Sequence, residues 1–168
     1  PQYTQYWVNG AKYNFVAIVD GDADNDNTIE SSEVKVNTTT GMPEEIYYTA
    51  STQKDLLCVA SPVTSKPENG VVSFSFNHLL SKVKFTFVNA LPNEIQIKNI
   101  KINNAPKSAS IDMTADARAW ANYDGVVELA FGDVEKGAML AISGDKHESD
   151  YARLTLPVGG EYEYNITF

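Results

Sequence analysis

Cysteine is nearly missing: Cys58 is the only one in 168 residues. A single thiol cannot close an internal disulfide. Cys58 sits in the apolar run LLCVA with no His or Asn tied to it in sequence, so it reads as a buried structural thiol rather than a nucleophile. Cations are scarce as well, 13 Lys and Arg against 22 Asp and Glu, for a net charge of −9 and a pI near 4.6. That balance excludes nucleic acid and anionic membrane as partners of the surface as a whole. No apolar run is long enough to span a bilayer. There is no leader pattern and no initiator Met. The start at Pro1 suggests a processed chain from which any export signal or lipid anchor has been removed.

A helical period is missing too. No segment holds one over three turns, and the best short candidates are ADARAWA (115–121) and the NHLLS corner (77–81). What the chain has instead is alternation. YNFVAIV (13–19), VVSFSF (71–76), KVKFTFV (82–88), VVELAF (126–131) and YEYNITF (162–168) each place apolar residues at every second position. Such runs are half-buried strands. Further strands are expected at 46–50, 56–60, 94–102, 108–113, 138–143 and 151–156. In EIQIKNIKI (94–102) the phase breaks: Ile95 and Ile97 share one face, Ile100 and Ile102 the other, and a β-bulge near Asn99 would repair it. Turns are expected at Asn69-Gly70, Asp124-Gly125, Gly132-Asp133, Gly144-Asp145 and Gly159-Gly160. With 43% hydrophobic residues the chain can bury a core, and many short strands between such turns define an antiparallel β-sandwich. Phe74, Phe76, Val83, Phe85 and Phe87 are expected at the centre of its inter-sheet core. Residues 1–168 read as one such domain, a trimmed part of a longer exported precursor.

The segment DLLCVASP (55–62) followed by VVSFSFNHLLSKVKFTF (71–87) resembles the fimbrillin family, the Mfa-like and FimA-like pilus subunits of anaerobic Gram-negative bacteria. The likeness rests chiefly on Phe76, His78, Leu80, Ser81, Lys82, Val83 and Phe85. WVNGAKYNFVAIV (7–19) and GGEYEYNITF (159–168) resemble the family's upstream aromatic strand and closing strand more loosely. The resemblance implies an all-β, transthyretin-like sandwich with Greek-key connections, export as a lipoprotein, and a place in a pilus at the outer membrane. It also implies partners: other pilus subunits joined by strand exchange, and host or bacterial surface glycans or proteins. Membrane contact would come only through a removed lipid anchor. Family members carry further residues before the first aromatic strand, including the lipidated Cys, and often a second domain. In the terminal strand, Tyr162, Tyr164, Ile166 and Phe168 share one face, and this strand is expected to close its own sheet.

The most pointed local signal is DADNDNTIESSE, Asp22 to Glu33, with five carboxylates and no cation. In a twelve-residue calcium loop, positions 1, 3, 5 and 12 give carboxylates and position 7 a carbonyl. Those positions are Asp22, Asp24, Asp26, Glu33 and Thr28, with Glu30 at the water-mediated ninth. Ile29 fills the inward apolar eighth position, and Asn27 stands where Gly is usual, tolerable because Asn enters the left-handed region. The flanks are strand-like, so this is no EF-hand, and the competing reading is a solvated acidic turn. A calcium ion here would be structural, ordering a loop in which the carboxylates otherwise repel one another.

Other candidates carry less. His78 reads as a corner residue hydrogen-bonded to backbone, since no orienting acid or nucleophile is signalled beside it. His147, between Asp145, Glu148 and Asp150, reads as a histidine in a solvated turn with at most a weak metal site. Trp7, Trp120 and Tyr123 could pack at a rim or form a sugar platform. No nucleophile elbow, phosphate loop or zinc spacing is present. The leading expectation is a non-enzymatic pilus subunit or surface adhesin, and the alternative is a carbohydrate-binding sandwich module.

Overall fold

The computed structural model describes residues 6–19, 34–64, 70–115, 118–134 and 146–168. In chain order the strands are β1 (Tyr13–Val19), β2 (Val34–Val36), β3 (Pro43–Thr49), β4 (Leu57–Thr64), β5 (Asn77–His78), β6 (Ser81–Val83), β7 (Thr86–Val88), β8 (Lys98–Asp112), β9 (Trp120–Gly132), β10 (Lys146–Glu148), β11 (Arg153–Thr155) and β12 (Tyr164–Thr167). A 3₁₀ turn at Ala50–Thr52 joins β3 to β4. Every strand pairing is antiparallel, and no α-helix occurs among the described residues. The chain is therefore all-β and antiparallel, as its alternation requires.

One sheet has the order β1-β4-β5. The larger sheet is organised by β8. Its first half pairs with β12 and its second half with β3 along one edge, while β9 runs along the other. Pro106 lies in the gap between the β12 and β3 contacts, opposite Val126 of β9. A residue without an N–H is tolerated there, since among the described residues no strand stands on that side to accept from it. The remaining ribbon joins β7 to β10 and β6 to β11. Between these pairs Ser149 completes the ladder. Its N–H donates to the Phe85 carbonyl at 3.0 Å and its hydroxyl accepts from the Phe85 N–H at 3.2 Å.

Two apolar clusters hold the fold. The first joins Leu56 and Cys58 to Ile46, Tyr48, Ala109 and Ile111, so the two sheets meet face to face. The second gathers Ile97, Ile100, Ile102, Leu129, Phe131 and Val134, with Val83, Phe85, Phe87, Tyr162 and Ile166 packed against it. Phe131 is fully buried and meets Phe85 edge-on, centroids 4.9 Å apart. In β9 the alternation is direct: Val127, Leu129 and Phe131 turn inward, Val126, Glu128 and Ala130 outward. The repair expected near Asn99 is present. Asn99 takes a φ of 50° and a register shift follows at Ile100/Lys101. Ile95, Ile97, Ile100 and Ile102 consequently all reach the second cluster.

Several expectations fail. Residues 71–76 lie outside the strands, and Phe74 and Phe76 remain 39% and 43% exposed. Of the five residues expected at the core centre, only Val83, Phe85 and Phe87 pack against a cluster. Alternation assigned Phe74 and Phe76 a shared face, but among the described residues no second sheet covers it. Their rings instead extend a surface string in which Phe15 touches Phe74 and Phe74 touches Phe76. ADARAWA is not a helix at its described end, because Trp120 and Ala121 open β9. Asp124-Gly125 is no hairpin turn. Gly125 takes a φ of 61° inside β9, bending that strand while its pairing continues on both sides. Tyr164 and Phe168 are exposed, 65% and 77%, while Tyr162 and Ile166 pack against the second cluster, so the expected shared face is covered at only two of its four residues. The strand expected at 138–143 and the turn at Gly144-Asp145 lie outside the described residues.

Gly132 closes β9 with a φ of 75°, and a Cβ there would lie 2.6 Å from Asp150 Oδ2. That carboxylate oxygen accepts from the Asp133 N–H at 2.9 Å. Gly132→Ala combines left-handed strain with a clash against the atom that anchors the turn. A loss of roughly 1–3 kcal/mol in urea unfolding is expected. A loss below about 0.5 kcal/mol, the scale of an ordinary surface change, would mean that the turn relaxes freely.

Candidate functional site

The corner after β5 carries the sequence's most specific motif. Pairing of β4 with β5 sets Leu57 opposite His78. Asp55 stands two residues upstream of Leu57, just before β4 begins. His78 Nδ1 lies 2.5 Å from Asp55 Oδ2. This corrects the expectation that His78 holds the corner through backbone. The main chain of Leu79 does that: its N–H donates to the Leu56 carbonyl at 2.9 Å and its carbonyl accepts from Trp120 Nε1–H at 2.8 Å. The acid absent beside His78 in sequence is supplied from 23 residues away. The pair is water-exposed, with side-chain exposures of 70% for His78 and 36% for Asp55. Among the described residues no hydroxyl or thiol is hydrogen-bonded to the imidazole.

Gln53 closes the other side of the corner. It takes a left-handed conformation just after the 3₁₀ turn. Its Nε2 donates to the carbonyls of Ala50 and Leu154 at 2.8 and 2.9 Å, and its Oε1 accepts from the Leu154 N–H at 3.0 Å. The side-chain amide thus serves Leu154 as a neighbouring strand would, satisfying the outer edge of β11. No sequence pattern marks this contact.

Cys58 is buried, and burial pushes its thiol up, with Arg118 opposing this more weakly. A raised thiol holds less nucleophilic thiolate at neutral pH. Trp7 packs edge-on to Tyr13 at 4.8 Å, Trp120 meets Tyr48 at 6.3 Å, and the Tyr123 hydroxyl donates to the Pro157 carbonyl. All three aromatics have packing or hydrogen-bonding roles.

His147 is not in a solvated turn. It lies half-buried in β10, opposite Phe87. Glu148 is held by Lys84 at 2.5 Å. The hydrogen bond from Lys84, then its charge, lowers the Glu148 carboxyl below its ordinary value. A depressed carboxylate contributes stability above its unfolded pKa and loses it as pH falls through the folded one. Asp150 is committed to the Asp133 N–H. Among the described residues no group of three or more His, Cys, Asp or Glu could hold a metal ion. The calcium candidates Asp22, Asp24, Asp26, Thr28 and Glu33 lie outside the described residues.

These features sit on an antiparallel all-β protein. A family model described as fimbrillin-like matches residues 1–168. The chain belongs to the fimbrillin-like family. No curated protein and no solved structure matches it.

Proposed function

We propose that the chain is a non-enzymatic pilus subunit, exported to the cell surface and joined to neighbouring subunits by strand exchange. The family match over residues 1–168 carries this reading. The sheet chemistry supports it: among the described residues β12 pairs with β8 alone, over four residues and across a register shift. An edge strand presents unpaired N–H and C=O groups to any strand that can align with them. The subunit then serves adhesion, meeting glycans or proteins of host or bacterial surfaces. Immunogold labelling of the producing cells should decorate fibres projecting from the outer membrane. Label confined to the cell interior would overturn the proposal.

The calcium loop forms a second part of this reading and rests on ligand spacing in the sequence. Asp22, Asp24, Asp26, Glu33 and the Thr28 carbonyl would hold one structural ion. Because a ligand that binds only the native state stabilises it by mass action, millimolar calcium should raise the melting temperature. Glu33→Ala should remove most of the rise. An unresponsive wild-type chain would leave only an acidic turn.

A further inference from the structure

The outer face of β3 and β8 holds an open depression. Ile46, Tyr48, Ala109 and Ile111 turn into the first cluster. By the strands' period of two, Glu45, Tyr47 and Thr49 of β3 and Ser108, Ser110 and Asp112 of β8 lie on the opposite face. Register sets them side by side: Tyr47 opposite Ser110, Thr49 opposite Ser108, Glu45 opposite Asp112. Strand β9 adds one more group. Its pairing passes from Asp124 opposite Ser108 to Ala121 opposite Ser110, so β9 carries an extra residue there. Asn122 occupies this bulge with a φ of 52°, and its Nδ2 donates to the Ser110 hydroxyl at 3.0 Å. A bulge re-aims a side chain. A non-glycine residue in the left-handed region persists only where its surroundings hold it. The depression so formed measures about 320 Å³ and is lined by Glu45, Tyr47, Thr49, Ser108, Ser110 and Asn122.

Its groups narrow the ligand. Tyr47 is 41% exposed, and its hydroxyl donates to Glu45 Oε2 at 2.5 Å, so the ring is braced along β3 while much of it stays open to solvent. That bond first, and one from Ser110 second, hold the Glu45 carboxyl below its ordinary value. Glu45 is therefore an acceptor at neutral pH. Ser110, 2% exposed, forms the floor. Asn122 is exposed, and its amide oxygen has no hydrogen-bond partner among the described residues. No cation is among the lining residues, and Lys35, opposite Glu45 in β2, is engaged with Glu44 at 3.6 Å. An anion has nothing to pair with there. A braced aromatic ring beside a carboxylate and an amide suits a body with one apolar C–H face and a rim of hydroxyls. The C–H face lies on the ring, and the hydroxyls meet the Glu45 carboxylate and the Asn122 amide. We propose that this depression binds a neutral sugar stacked on Tyr47. The inference gives a site and a chemical class to the surface-glycan binding proposed above. It rests on that reading for the ligand's source and is independent of strand exchange.

The test is an NMR titration of the ¹⁵N-labelled chain at constant ionic strength with lactose, maltose and N,N′-diacetylchitobiose, and with sodium D-glucuronate and methylammonium chloride as controls. At least one of the neutral sugars should give saturable shifts at the Tyr47, Ser110 and Asn122 amides, and the two ionic controls none. Tyr47→Ala should weaken that sugar at least about tenfold, the loss of one stacking surface. Asn122→Gly keeps the left-handed backbone and removes only the amide. It should weaken the sugar without lowering the urea midpoint, which a merely structural role would not do. Both side chains are exposed, so both variants should fold. Methylammonium bound as tightly as the sugar would mark a cation site and overturn the sugar. No saturable shift with any of the three sugars, or binding unchanged in either variant, would overturn the proposal. None of these outcomes bears on fibre labelling.

Discussion

Phe131→Ala should lower the stability of the chain by about 3–5 kcal/mol in denaturant unfolding, the usual cost of truncating a buried Phe. Phe131 has no exposed surface and sits where β8, β9 and the β6–β11 ribbon converge. Its removal forfeits the edge-on contact with Phe85 and opens a cavity bounded by Ile100, Leu129 and Val134. The surrounding strands are cross-paired and cannot collapse into that space without breaking register. Phe76→Ala is the control. Its ring is 43% exposed, and truncation should cost less than about 1 kcal/mol, within the range of ordinary substitutions. Equal losses at the two positions would mean that the 71–76 face is covered and the second cluster is not the centre of this part of the fold.

Deleting residues 161–168 is expected to be comparably damaging, and reversible in trans. The segment removes β12 from β8, together with Tyr162 and Ile166 from the second cluster. It also removes the Tyr162 hydroxyl bond to the Leu156 carbonyl at 2.9 Å. Asn104 loses both its partners, the Glu163 N–H and the Glu161 carbonyl. What remains is an exposed edge of β8 beside an apolar groove, the arrangement that accepts an added strand. A synthetic peptide of residues 161–168 should bind the shortened chain, restore cooperative unfolding and protect the β8 amides from exchange. A deletion without effect on stability, or a peptide that fails to bind, would show that β12 contributes little to the sheet and would remove the structural support for strand exchange.

The sequence by itself determined the antiparallel all-β class and the position of many of the strands. Alternation at Val127, Leu129 and Phe131 and the phase break in EIQIKNIKI are local, because a strand's period of two shows which residues share a face. The apolar surroundings of Cys58 were equally local, and the thiol is buried. Only the tertiary structure decided which faces are covered. Phe74 and Phe76 alternate as regularly as Phe85 and Phe87, yet only the latter meet the second cluster, because β8 and β9 stand over them. The same holds for the candidate site. His78 could be singled out from its motif. Its partner Asp55, the Gln53 clasp on Leu154 more than 100 residues away, and the pairing that sets Lys82 opposite Leu154 are contacts between distant segments. Antiparallel register sets them, and a single sequence fixes that register only through the packing of the completed sheets.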